Sequence, residues 1–164
     1  MQKLFRNVLV PYDFSRHATR ALGVAAELAG AHEGRLLVVH VVPRIAQLVG
    51  IPPGAFPPAE VTAELVQEQQ RRRESRVTRT VLKRTPVECR VVVGDPVHTI
   101  LAATRGMSSV VMGTLGLTGV ARFVIGSVAE RVVRHSPIPV LTMRAGARLR
   151  PRAPRFNRKR RNAR

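Results

Sequence analysis

Val110-Val111-Met112-Gly113-Thr114-Leu115-Gly116-Leu117-Thr118-Gly119, followed by Val120-Ala121-Arg122-Phe123-Val124-Ile125-Gly126-Ser127, sets the architecture of this chain. A short apolar strand runs straight into glycines, and a Gly-Ser pair then opens a helix. Glycine lets main-chain N–H groups approach a ligand with no Cβ in the way. A helix amino end adds donors without partners and a partial positive charge. Together these can form a phosphate cradle; the alternative is that Gly113 and Gly116 are turn residues and Ser127 only caps the helix. Ser127-Val128-Ala129-Glu130 has the form of a capping box, with Ser127 as the cap.

Upstream, strands and helices alternate. Phe5–Val10 reads as a first strand, followed by Pro11-Tyr12-Asp13-Phe14-Ser15, where Ser15 or Asp13 can cap the next helix. Ala18, Ala21, Leu22, Ala25, Ala26, Leu28 and Ala29 give that helix an apolar face to about His32, and Gly34 is a natural stop. Arg35–Val42 is a near-continuous apolar run, suited to a parallel strand covered on both faces. A Pro-rich loop follows over 45–58; it either caps a ligand, meets a partner or packs on the body. Residues 59–84 read as a long helix.

Val87–Val93 is the next strand, with Cys89 as a small buried hydrophobe that can form no internal disulfide. Asp95-Pro96 opens a helix, with Asp as cap and Pro in the first turn. Ser109–Met112 is strand four, and Pro137–Met143 is strand five. The order βαβαβαβαβ implies one parallel sheet with helices on both faces. In such sheets a ligand sits beyond the carboxyl ends of the strands, where strand order reverses. If strands one and four are neighbours, Pro11-Tyr12-Asp13 and Met112-Gly113 meet there. Pro137 and Pro139 suit a sheet edge, and an apolar Val140-Leu141 edge needs cover.

The chain has 164 residues and a formal net charge of +18. Ten of its 28 Lys/Arg fall in residues 144–164, which hold no acid. The first 143 residues therefore carry 18 basic against 10 acidic groups, a net of +8. The expected organisation is one domain over 1–144 and a basic, disordered tail over 145–164. Tail residues Arg155, Arg158, Lys159, Arg160 and Arg161 suit nucleic acid or another anionic surface. One Tyr and no Trp leave little capacity for base stacking, which argues against sequence-specific recognition. No apolar run approaches the roughly 18 residues of a membrane-spanning helix, and the first residues lack a secretory signal's long apolar core, so the expected location is cytoplasmic.

Four ordered motifs resemble the universal stress protein family: Val10-Pro11-Tyr12-Asp13-Phe14-Ser15, Val93-Gly94-Asp95-Pro96, Gly113-x2-Gly116-x9-Gly126-Ser127, and Ser127–His135 with Pro139-Val140-Leu141. The glycine signature is that of the family's ATP-binding branch. The resemblance implies an open α/β sheet of order 3-2-1-4-5 and a homodimer joined through strand five at Val140 and Leu141. It implies an ATP site that includes Val128, in which the backbone around Gly113, Gly116, Gly126 and Ser127 holds phosphates, while Pro11, Tyr12, Asp13, Val41 and Met112 line the base and ribose. Asp13 stands where its carboxylate reaches the nucleotide or its Mg ion. Where family members often carry polar residues, this chain has Leu115 and Leu117, which leaves main-chain donors as the main cradle.

The five histidines are dispersed without metal-ligand spacing and read as surface or packing residues. No G-x4-G-K-[ST] loop, Gly-x-Ser-x-Gly elbow or S-G-G-x-D-S loop is present, and no lysine lies near the glycines. The expectation is a nucleotide-responsive regulatory protein with little or no hydrolysis. The alternative is an anionic-surface binder acting through its tail.

Overall fold

The computed structural model describes residues 4–43, 85–114 and 125–144. The expected loop over 45–58, the helix over 59–84, Gly116 and the tail with Arg155, Arg158, Lys159, Arg160 and Arg161 lie outside the described residues. Within them the elements are β1 (Asn7–Pro11), α1 (Arg16–Ala31), β2 (Arg35–Val42), β3 (Val87–Val93), α2 (Pro96–Ala102), β4 (Ser109–Gly113), α3 (Ser127–His135) and β5 (Val140–Met143). The strands form one sheet of order β3-β2-β1-β4-β5, and every pairing is parallel. This is the strand order that the family resemblance implied.

The period of two along β1 explains the layers. Val8 and Val10 face α1, while Leu9 faces α2 and α3. Both faces of β1 are buried, as are those of β4 and the first half of β2, so their sequences read as unbroken apolar runs. In β3 the register puts Glu88, Arg90 and Val92 beside Leu37, Val39 and Val41. These three residues are exposed, as befits an edge strand with one open face. Cys89 is consequently half-buried rather than fully buried.

α1 buries Ala18, Ala21, Leu22, Val24, Ala25, Ala26 and Ala29. Five of these seven are alanines, so the helix lies close against the sheet. Ser15 is its N-cap, accepting the Ala18 N–H at 3.0 Å, which settles the choice left open between Ser15 and Asp13. The helix ends in a Schellman pattern. Gly34 N–H donates to Ala29 O at 2.8 Å, and Glu33, at φ 52°, takes the left-handed position. Gly34 is required for another reason: a Cβ there would stand 2.6 Å from the carbonyl oxygens of both Phe5 and Arg6.

At the amino ends of β1 and β4, Ser108 Oγ accepts the Asn7 N–H at 2.9 Å and donates to Asn7 O at 2.8 Å. Ser108 thus fastens the floor of the sheet, far from the rim where a ligand would sit. At the carboxyl rim, Asp95 caps α2 by accepting the His98 N–H at 2.8 Å. That bond holds the Asp95 carboxyl below its ordinary value. No helix among the described residues is long and apolar enough to cross a membrane.

Candidate functional site

The chain runs outward through β1, β2 and β3 and then returns to the other side of β1 for β4 and β5. The order therefore reverses between β1 and β4, and their ends splay around a crevice. A cavity of about 530 Å³ occupies that place, a size typical of small-molecule sites. Nine of the ten residues expected to bind nucleotide line it: Pro11, Tyr12 and Asp13 after β1, Val41 from β2, Met112 and Gly113 from β4, and Gly126, Ser127 and Val128 at the start of α3. The tenth, Gly116, lies outside the described residues.

One wall is apolar. Val39 and Val41 of β2, Ile100 of α2 and Met112 of β4 all line the cavity, and all belong to or pack against the cluster under α2 and α3. The opposite side is built by the turn leaving β1. Asp13 Oδ1 accepts the Ser15 N–H at 3.0 Å, an Asx turn that feeds the chain into α1. Tyr12 is buried and its hydroxyl lies 3.1 Å from Thr19 Oγ1. Phe14 stands at φ 65°, a conformation that is costly for a bulky side chain and is kept only where the surroundings enforce it. Its ring meets Tyr12 and His40 edge-on, with centroids 5.2 and 4.9 Å apart.

The start of α3 closes the third side. Gly126 N–H donates to Thr114 O at 2.7 Å, tying the helix to the end of β4. The N-cap is Gly126, so Ser127 lies one position inside and the expected capping box is not formed. Glu130 instead reaches forward to Arg134 at 2.9 Å. Glu130 N–H makes the first intrahelical bond, to Gly126 O. The main-chain N–H groups of Ser127, Val128 and Ala129 precede that bond and have no acceptor within the helix, and these three residues line the cavity.

The described lining contains no lysine or arginine; Asp13 is its one carboxylate and His40 its one imidazole. An anion here would be met by main-chain donors and by the positive end of α3. No group of three or more His, Cys, Asp or Glu able to hold a metal occurs among the described residues. Asp13 offers a single carboxylate, enough to share a Mg ion carried in by phosphates but not to cage one.

Among the lining residues that sequence reading missed are Phe14, Val39, His40, Pro96, Ile100 and Thr114. Pro96 and Ile100 had a usable signal, because the helix opened by Asp95-Pro96 must begin at the same rim as every strand end of a parallel sheet. His40 was read as a surface or packing residue; its place beside Val41 was the only hint.

A fully parallel sheet with a ligand-sized crevice at its switch point defines an open-sheet α/β protein of Rossmann-like type. The chain belongs to the universal stress protein family, which it matches over residues 4–144. It is 36% identical to a universal stress protein of Thermus aquaticus over 144 residues, spanning 86% of this chain and 100% of the relative. Among solved structures it is similar to a universal stress protein family member from Burkholderia pseudomallei, with 28% identity, a TM-score of 0.64 and coverage of 85% of this chain and 96% of the other. It is also similar to a universal stress protein crystallised in complex with cAMP, with 26% identity, a TM-score of 0.57 and coverage of 85% and 97%.

Proposed function

We propose that the rim cavity binds ATP, and that the protein is a nucleotide-responsive regulator of the family's ATP-binding branch with little or no hydrolysis. The observation that carries this reading is one cavity joining an apolar slot to the open amino end of α3. Val39, Val41 and Met112 suit the faces of a base. The N–H groups of Ser127 and Val128 suit phosphate oxygens, with the Ser127 hydroxyl free of capping duty. Asp13 suits a ribose hydroxyl or the Mg ion on the phosphates. The relative solved with cAMP lends support to an adenine nucleotide. The described lining holds no lysine or arginine to stabilise a transferring phosphoryl group, which favours binding over turnover.

Mass spectrometry of small molecules released from freshly purified protein is expected to find ATP or its breakdown product. Calorimetric titration should give a micromolar Kd. Silence in both at millimolar ATP would end the nucleotide reading, and turnover of several per second would end the binding-module part of it.

The same reading joins two copies through β5. β5 is a sheet edge of four residues with Leu141 37% exposed, and unpaired edge groups of this kind invite a second strand. Light scattering at micromolar concentration should read twice the mass of the chain, and Leu141→Lys should halve it. A wild-type protein that scatters as a single chain would contradict the dimer.

A further inference from the structure

His40 sits where the pairing of β1 with β2 stops. The register ends at Pro11↔Val39, and the last main-chain bond between the strands is Tyr12 N–H to Val39 O at 2.8 Å. In a parallel ladder the next bond would run from Val41 N–H to Tyr12 O. Tyr12 O instead receives the imidazole of His40, with Nδ1 at 2.8 Å. A carbonyl can only accept, so Nδ1 carries the proton in this contact. The side chain has taken the place of a main-chain rung.

That exchange has two consequences at the cavity. Val39 N–H and C=O both turn toward β1, and alternate residues of a strand turn the same way, so Val41 presents its N–H and C=O on that side as well. Among the described residues no main-chain bond replaces that rung, and Val41 lines the cavity. The second consequence concerns Phe14. Its ring is edge-on to His40 at 4.9 Å and to Tyr12 at 5.2 Å, so the imidazole that holds Tyr12 O also buttresses the residue at φ 65°.

We infer that His40 is a positioning residue of this site: its Nδ1–H bond to Tyr12 O keeps β1 and β2 from zipping further, leaving the Val41 main-chain donor and acceptor open to a ligand and bracing the Tyr12–Phe14 turn. The ligand class is a planar heterocycle with adjacent donor and acceptor, and this part rests on the adenine-nucleotide reading above. The strut itself does not.

The test uses the full chain with His40→Leu, His40→Asn and His40→Gln. Asn places its amide N–H near the Nδ1 position, whereas Gln places it near Nε2. Val41 amide exchange is followed by NMR in the absence of nucleotide, and ATP affinity by calorimetry. In wild type and His40→Asn, Val41 should exchange freely and affinities should agree within about threefold. In His40→Leu, the Val41 N–H should close onto Tyr12 O and gain protection of about tenfold or more, with a similar loss of ATP affinity, as for one hydrogen-bonded contact. Should His40→Leu fail to fold, His40→Gln is expected to show the same impairment relative to His40→Asn. Val41 exchange unchanged in a folded His40→Leu, or equal behaviour of the Asn and Gln variants, would overturn the strut. A wild type that ignores ATP yet shows the predicted Val41 exchange pattern would overturn the nucleotide reading alone.

Discussion

Gly126→Val should lower ATP affinity by at least a hundredfold while costing the protein only a few degrees of thermal midpoint. The backbone at Gly126 has φ −60° and ψ 148°, an extended conformation that any residue adopts. The backbone conformation therefore does not demand glycine here. Valine is a poorer N-cap than glycine, by about 1 kcal/mol, which in a domain of this size lowers the midpoint by roughly 2–4 °C. The ligand pays far more. A phosphate oxygen must come within about 2.9 Å of the N–H groups it accepts from, and a branched side chain at the mouth of α3 fills that approach. Losing two charge-assisted hydrogen bonds, at about 1.5–3 kcal/mol each, corresponds to roughly 10²–10⁴ in Kd. Calorimetry and a thermal melt on one preparation decide it. A variant that binds as wild type would remove α3 from the phosphate site.

The rim was legible because parallel topology leaves little freedom. Once strands and helices alternate, every strand ends and every following helix begins on one rim. Segments 11–13 and 112–113 then meet if strands one and four are neighbours, the glycine-to-helix stretch adds 126–127, and the family resemblance supplies the strand order, Val41 and Val128. What stayed hidden depends on contacts between distant residues or on a single step of register. Ser127 and Glu130 have the capping-box spacing, but Gly126 N–H is fixed to Thr114 O at 2.7 Å, which starts the helix one residue earlier than the box requires. Gly34 looks like a left-handed stop, yet Glu33 takes that conformation and Gly34 answers to the crowding of Phe5 and Arg6. The His40 bond falls where the β1–β2 register ends at Pro11↔Val39, and no local pattern announces where a ladder ends.

Gly113 belongs to the same glycine signature as Gly126, and it should fail in the opposite way. Gly113→Ala is expected to destabilise the fold by about 2–3 kcal/mol, near the upper part of the range for overpacking, or roughly 5–10 °C in midpoint. The added Cβ would lie 2.8 Å from His17 Cβ and 2.9 Å from both Ala18 N and His17 C. These are rigid atoms of the first turn of α1, not the far end of a side chain that could swing away. The turn cannot retreat easily: Ser15 caps it, Tyr12 bonds Thr19, and Ala18 and Ala21 are pressed on the sheet at 3% and 0% exposure. β4 cannot retreat either, because Thr114 N–H is bound to Met143 O at 3.0 Å and Thr114 O holds Gly126. Gly23→Ala, in the same helix with nothing within 4 Å of the new Cβ, is the matched control and should gain about 0.5–1 kcal/mol. Urea unfolding of the two variants separates the effects. If Gly113→Ala were as stable as wild type but blind to ATP, the glycine would serve the ligand alone; if it unfolds early, the closeness of an alanine-faced helix is what the first glycine of the signature protects.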